Sequence, residues 1–184
     1  MNKTKLFLIS FLILFIGSNL VFASNNGFGN KGKVFVSDKY NCSISALDSW
    51  KLESSSGNYL AVIRHTDFPA RVYLKAYKAS GSPSIDAIIL ARSGATWENW
   101  NLLTEKYADS KALLLAGVRE KYSRIMQKEN LNEDLSITRM VGVEDIYIKD
   151  NIVYIVWAVL DKRYWEKVSA DLKLIMQSFY ILDY

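Results

Sequence analysis

Apolar and polar positions alternate along much of the chain, and the alternation predicts strands. Cys42, Ile44 and Ala46 alternate with Ser43 and Ser45, the pattern of a half-buried strand. Leu60, Val62 and Arg64 share one face of the next strand, with Ala61, Ile63 and His65 on the other. Pro69 then breaks the chain, because its ring fixes its own φ and steers Phe68 away from the helical region. Beyond that break Val72, Leu74 and Ala76 stand opposite Arg71, Tyr73, Lys75 and Tyr77. The most strand-like stretch runs from Ser136 to Leu160, with Asp150–Asn151 as its tight turn. Ile152–Leu160 is apolar at every position, so this strand must be covered on both faces and belongs in the middle of a sheet.

Helical spacing predicts the rest. Ser82 and Pro83 suit an N-cap and first helical position ahead of Ile85, Ile88 and Ile89, although "AIILA" fits a buried strand equally. Trp97, Trp100, Leu103 and Tyr107 make one helical stripe. Leu114, Val118, Tyr122, Ile125 and Met126 make another, capped by Asp109 or Ser110, with Arg119, Lys121, Arg124 and Lys128 as its solvated face. A last helix opens at Asp161, with Leu160 stapled to Trp165 and a stripe of Trp165, Val168, Leu172 and Ile175. Glu166, Lys167, Asp171 and Lys173 are expected to face away, and "SFYIL" to form a terminal strand. Together these give an α+β domain with a mostly antiparallel sheet.

The first residues change the reading of the charge. Lys3 and Lys5, the apolar run Leu6–Ile16 and the Val21-x-Ala23 spacing form the order of a secretory signal peptide, residues 1–23, cleaved after Ala23. Residues 24–33 are then a flexible polar lead, and 34–184 a single domain. Cleavage removes two lysines and takes the formal charge from +4 to +2. That bias is too mild for a nucleic-acid footprint, so no nucleic acid is expected as a partner. The destination is the periplasm or the extracellular space. Cys42 is the only cysteine, so no internal disulfide forms, and it is either a buried small hydrophobe or a thiol for an intermolecular bond.

"YNCSISALDSWKL" near the start and "NIVYIVWAV…YWEKVSADLKLIMQSFYIL" at the end, with a strand pair between them, resemble the PsbP/Mog1 superfamily over roughly Val34–Leu182. Members open on a strand leading to Pro-x-x-Trp and close on a helix running into a Ser-Phe strand, here Ser178–Phe179. Leu47 stands where the opening proline would be. The resemblance implies an α/β/α sandwich with an antiparallel central sheet. It also implies an accessory or partner-binding role: plant members are extrinsic photosystem II subunits, and a yeast member binds a small GTPase. No catalytic residues carry over.

The residues themselves offer little chemistry. His65 and Asp67 could lie side by side, but Asp67 has a local reason to sit in a turn. No nucleophile elbow or phosphate loop is present, and one histidine with one cysteine is poor material for zinc, so no cofactor is expected. The aromatic residues stand out. Trp157 and Trp165 fit a core, and Trp97 and Trp100 are expected to be partly exposed. Arg71, Tyr73, Lys75 and Tyr77 form a polar-aromatic strand face that, with Trp97 and Trp100, is the candidate partner or ligand surface. Three functions follow as expectations. The first is an exported, non-enzymatic accessory domain that binds a protein partner. The second is a small hydrolase or small-molecule-binding protein with a cleft near His65. The third is a membrane-surface protein using Trp97 and Trp100.

Overall fold

In a computed structural model, residues 34–53, 57–107, 118, 120–134 and 136–182 are described. The expected leader and lead, residues 1–33, lie outside them, as do Asp109, Ser110, Leu114 and Arg119.

Among the described residues the fold holds ten strands and two α-helices. β1 (Val34–Ser37), β2 (Cys42–Ser45) and β10 (Tyr180–Ile181) form a small sheet in the order β1-β2-β10. The large sheet holds β3 (Trp50–Glu53), β4 (Ala61–His65), β5 (Ala70–Lys78), β9 (Ile152–Asp161), β8 (Ile137–Lys149), β7 (Glu120–Leu131) and β6 (Asn101–Tyr107), in that spatial order. Every pairing in both sheets is antiparallel. α1 (Ile85–Ala95) covers one face and α2 (Trp165–Gln177) the other, so the layers are α/β/α.

β9 lies fourth of seven strands, in the middle. Its Tyr154, Val156, Ala158 and Leu160 enter the α2-side core, and its Val153, Ile155 and Trp157 enter the α1-side core. The β8–β9 turn forms where expected, with Asp150 at φ 49° and Asn151 at φ 62°, a pair of left-handed residues that matches the twist of the strands it joins. α2 buries Val168, Leu172, Ile175 and Met176. Asp161 caps a single 3-10 turn, Lys162–Tyr164, that leads into this helix. Asp171 does not face away: it accepts from Ser49 Oγ at 3.1 Å and Trp50 Nε1 at 3.2 Å.

The middle of the chain departs from expectation. "AIILA" is helical, with Ser84 rather than Ser82 as the N-cap; its Oγ accepts from the Ala87 N–H at 3.2 Å. Of the first stripe predicted as a further helix, Leu103 and Tyr107 fall on strand β6, with Trp97 and Trp100 in the turn before it; of the second, Tyr122, Ile125 and Met126 fall on strand β7. Tyr122 and Met126 are four apart, a spacing that puts two residues on the same face of a helix and of a strand alike. Ile125 is odd relative to them and turns to the α2-side core, a split that only a strand makes. Arg124, expected on a solvated helix face, is 4% exposed.

Candidate functional site

His65 is not an acid–base centre held by Asp67; it holds the turn. It is buried, 5.0 Å from the Trp50 ring edge-to-face and 4.8 Å from Phe68. Its Nδ1 accepts from the backbone N–H groups of Asp67 at 3.0 Å and Phe68 at 3.2 Å. The lone pair that a general base needs is committed to the β4–β5 turn, and that geometry places the ring proton on Nε2. Asp67 is exposed at the turn. Cys42 lies in the core with no exposure, and burial pushes its thiol up to about 12, which makes it inert as a nucleophile.

The α1-side face carries the dense chemistry. Glu144 on β8 is fully buried, and two arginines converge on it. Arg92, from α1, engages Oε1 through Nε and Nη2. Arg124, from β7, donates to Oε2 from Nε at 2.8 Å, and its Nη2 lies 2.7 Å from the same oxygen. Trp97 Nε1–H donates to Oε1 at 2.9 Å, and Arg124 Nη1 donates to Ser93 Oγ at 3.2 Å. Neither Nη2 is aligned for a hydrogen bond, so both are held by charge rather than by direction. Two guanidiniums against one carboxylate leave one excess positive charge beneath α1. Trp157 offsets part of it, its ring lying 4.7 Å from the Arg92 guanidinium carbon.

Trp97 is therefore not partly exposed. It is 4% exposed, edge-to-face with the half-buried Trp100 at 4.9 Å, and it presses on the backbone of β8 at Gly142. A Cβ at Gly142 would stand 2.5 Å from Trp97 Cζ3, so only glycine admits the indole. The three-residue spacing that suggested a helix face instead places both indoles in the approach to β6. A tryptophan bonded to Glu144 cannot insert into a membrane surface, and among the described residues no helix is long and apolar enough to cross one.

Arg71, Tyr73, Lys75 and Tyr77 do share one face, the α1 side of β5. Tyr73 stacks on Trp157 at 4.9 Å with 19° between planes, and Tyr59 packs against both at 5.1 and 5.2 Å. Lys75 Nζ lies 5.7 Å over the Tyr77 ring. Burial raises the Tyr77 phenol against the opposing pull of Arg92. Ring contacts thus run from the Arg92 guanidinium through Trp157 to Tyr73 and Tyr59. Arg71 is exposed, while Tyr73, Lys75 and Tyr77 are half-buried. Sequence reasoning missed Tyr59, Arg92, Arg124 and Glu144. One signal was available: Gly142, Glu144, Ile146 and Ile148 alternate on one strand face, and a lone glutamate in such a row requires cationic partners. Among the described residues no cluster of histidine, cysteine and carboxylates could hold a metal.

No protein-family model matches the chain, and no curated protein matches it. Solved structures do. Cyanobacterial PsbP from Synechocystis sp. PCC 6803 is 9% identical with a TM-score of 0.57, over 87% of this chain and 98% of that one. The Saccharomyces cerevisiae Ran-binding protein Mog1p is 11% identical with a TM-score of 0.55, over 83% and 96%. LpqN of Mycobacterium tuberculosis, described as involved in cell envelope biogenesis, is 10% identical with a TM-score of 0.53, over 92% and 95%. The chain has the PsbP/Mog1-like fold.

Proposed function

We propose that this chain is an exported, non-enzymatic accessory domain that binds a protein partner in the cell envelope. The partner would engage the α1-side face at β3–β5. The observation that carries the reading is the uneven cover of that face among the described residues. α1 lies over β7–β9, pinned through Arg92 to Glu144 and Trp157, while Lys51, Arg64 and Arg71 at the β3–β5 end are exposed. A sheet end lined by rigid aromatic rings and exposed cations suits recognition of another protein.

The leader pattern in residues 1–23 supports export. The commitment of the His65 lone pair to its own turn removes the residue on which a hydrolytic reading depended. The fold is shared with a protein that binds Ran and with one involved in envelope biogenesis, which is compatible with a binding role. The test is a photo-crosslinking side chain placed at Lys75, with a control at Glu166 on the opposite helix. Crosslinking in intact envelopes is expected to trap one protein reproducibly at position 75 and not at 166. No specific adduct at position 75 overturns the reading.

A further inference from the structure

We infer that Lys51, Arg64 and Arg71 form a docking row for an acidic segment of that partner; the inference rests on the partner-binding reading above. Strand register brings the three residues together. Lys51 pairs directly with Arg64 across β3–β4, and Arg64 pairs directly with Arg71 across β4–β5. Neighbouring strands lie about 4.8 Å apart, so three cations stand abreast within roughly 10 Å on one face. Like charges directly opposite one another work against sheet pairing. A sheet that keeps three of them in one rank carries a local cost that an anionic ligand would relieve.

Among the described residues of β3–β5, the charges on this face do not neutralise the row. Glu53 is the one carboxylate on this face of β3–β5, and its Oε1 lies 2.9 Å from Arg64 Nε, with both side chains substantially exposed. Lys75 adds a fourth cation along β5. Asp161 on β9 is already gripped by Arg163, whose Nη2 donates at 2.6 Å, and Glu144 is consumed by Arg92 and Arg124. Asp67 stands beyond the row in the turn. Arg71 also leans on the Tyr73 phenol, which with Glu53 raises its already high pKa and keeps it charged.

The setting favours a protein segment over a lipid surface or a polyanionic polymer. The row is short, and it ends on half-buried Val159, the direct partner of Arg71. Tyr59 and Tyr73 border it. The whole chain carries a formal charge of only +4, without the broad basic field that anionic surfaces select. Carboxylates next to an apolar side chain match cations bordered by Val159 and two tyrosine rings.

The test uses a labelled oligo-glutamate peptide, an oligo-glutamine peptide of the same length, anionic lipid vesicles and inorganic polyphosphate. Each is titrated against the full exported chain and against the variant Lys51→Gln/Arg64→Gln/Arg71→Gln. The oligo-glutamate peptide is expected to bind at low salt and to weaken about tenfold or more in the variant, with added salt closing the gap. Oligo-glutamine is expected not to bind, and Arg71→Lys to retain most of the affinity. Equal binding of the peptide by both proteins overturns the inference. So does tighter retention of vesicles or polyphosphate than of peptide. Crosslinking at Lys75 separates the two readings. A partner trapped equally well by the variant leaves the function and removes the row, whereas a wild-type chain that traps nothing removes the function itself.

Discussion

The two faces of the central sheet solve the same burial problem by opposite means. The α2 side is built from apolar volume: Ile44, Trp50, Leu74, Leu160, Leu172 and Ile175 are all essentially without exposure. The α1 side sets charge inside an apolar layer that includes Ile146, Ile148, Val153 and Ile155: α1 buries only Ile85, Ile88 and Arg92, and its anchor is the Arg92–Glu144–Arg124 cluster beside Trp97 and Trp157. An apolar interface tolerates rearrangement because no single atom must meet another. A buried charge cluster is intolerant of losing one member but indifferent to losing all of them. The same division separates the two candidate sites, since His65 is turned to the α2 side and serves a turn, while the exposed cations of β3–β5 lie on the α1 side.

The largest expected effect breaks the charged side. Glu144→Ala leaves two guanidiniums buried without a counter-charge and is expected to cost about 3–5 kcal/mol, seen as a lower urea midpoint at unchanged slope. Replacing the whole cluster, by Arg92→Leu, Glu144→Met and Arg124→Leu, is expected to be neutral or to stabilise by up to about 4 kcal/mol. On the α2 side the single change Leu172→Ala is expected to cost about 2–5 kcal/mol, and adding Ile175→Ala deepens the loss instead of reversing it. If the triple replacement is as damaging as Glu144→Ala alone, the two faces are not different in kind.

A smaller effect probes how the charge cluster is roofed. Gly142→Ala drives a methyl into the Trp97 indole and is expected to cost about 1–3 kcal/mol, with a change in tryptophan fluorescence. Unchanged emission would show that Trp97 is not fixed against β8.

Such contacts also explain what the sequence could and could not reveal. β4, β5, β8, β9 and α2 were legible because their signals are local: strict alternation, an Asp-Asn turn, a clean helical stripe. β7 was not. Its Tyr122 and Met126 spacing suits either element, and Arg124 counts as polar until Glu144, twenty residues away, is placed beside it. Trp97 was misjudged for the same reason, because its burial depends on Gly142 across the fold. The Arg71–Tyr77 face was visible as alternation, but its neighbours Lys51 and Arg64 join it only through strand register.

Two modest effects remain. The hydrogen bonds from Arg163 hold the Asp161 carboxyl below its usual range. That stabilisation is present above the unfolded carboxylate pKa of about 3.9 and is lost as pH falls through the depressed folded value. Arg163 is 73% exposed, so Asp161→Asn is expected to cost under about 1 kcal/mol of ion pairing at neutral pH and to flatten the acid limb of the stability profile. Smallest of all, Arg64→Gln removes the middle cation of the row while losing its pair with Glu53. The net change in unfolding free energy is expected within about 0.5 kcal/mol, and a loss well beyond that would show that the row serves stability.

The most direct measurement is chemical-shift mapping of the isotope-labelled chain during titration with the oligo-glutamate peptide. Perturbed amides are expected to cluster at Lys51, Arg64, Arg71 and Tyr73 and to fade with salt. Perturbations centred instead on Lys162 and Arg163 at the turn into α2, or spread evenly over the surface, would contradict the account.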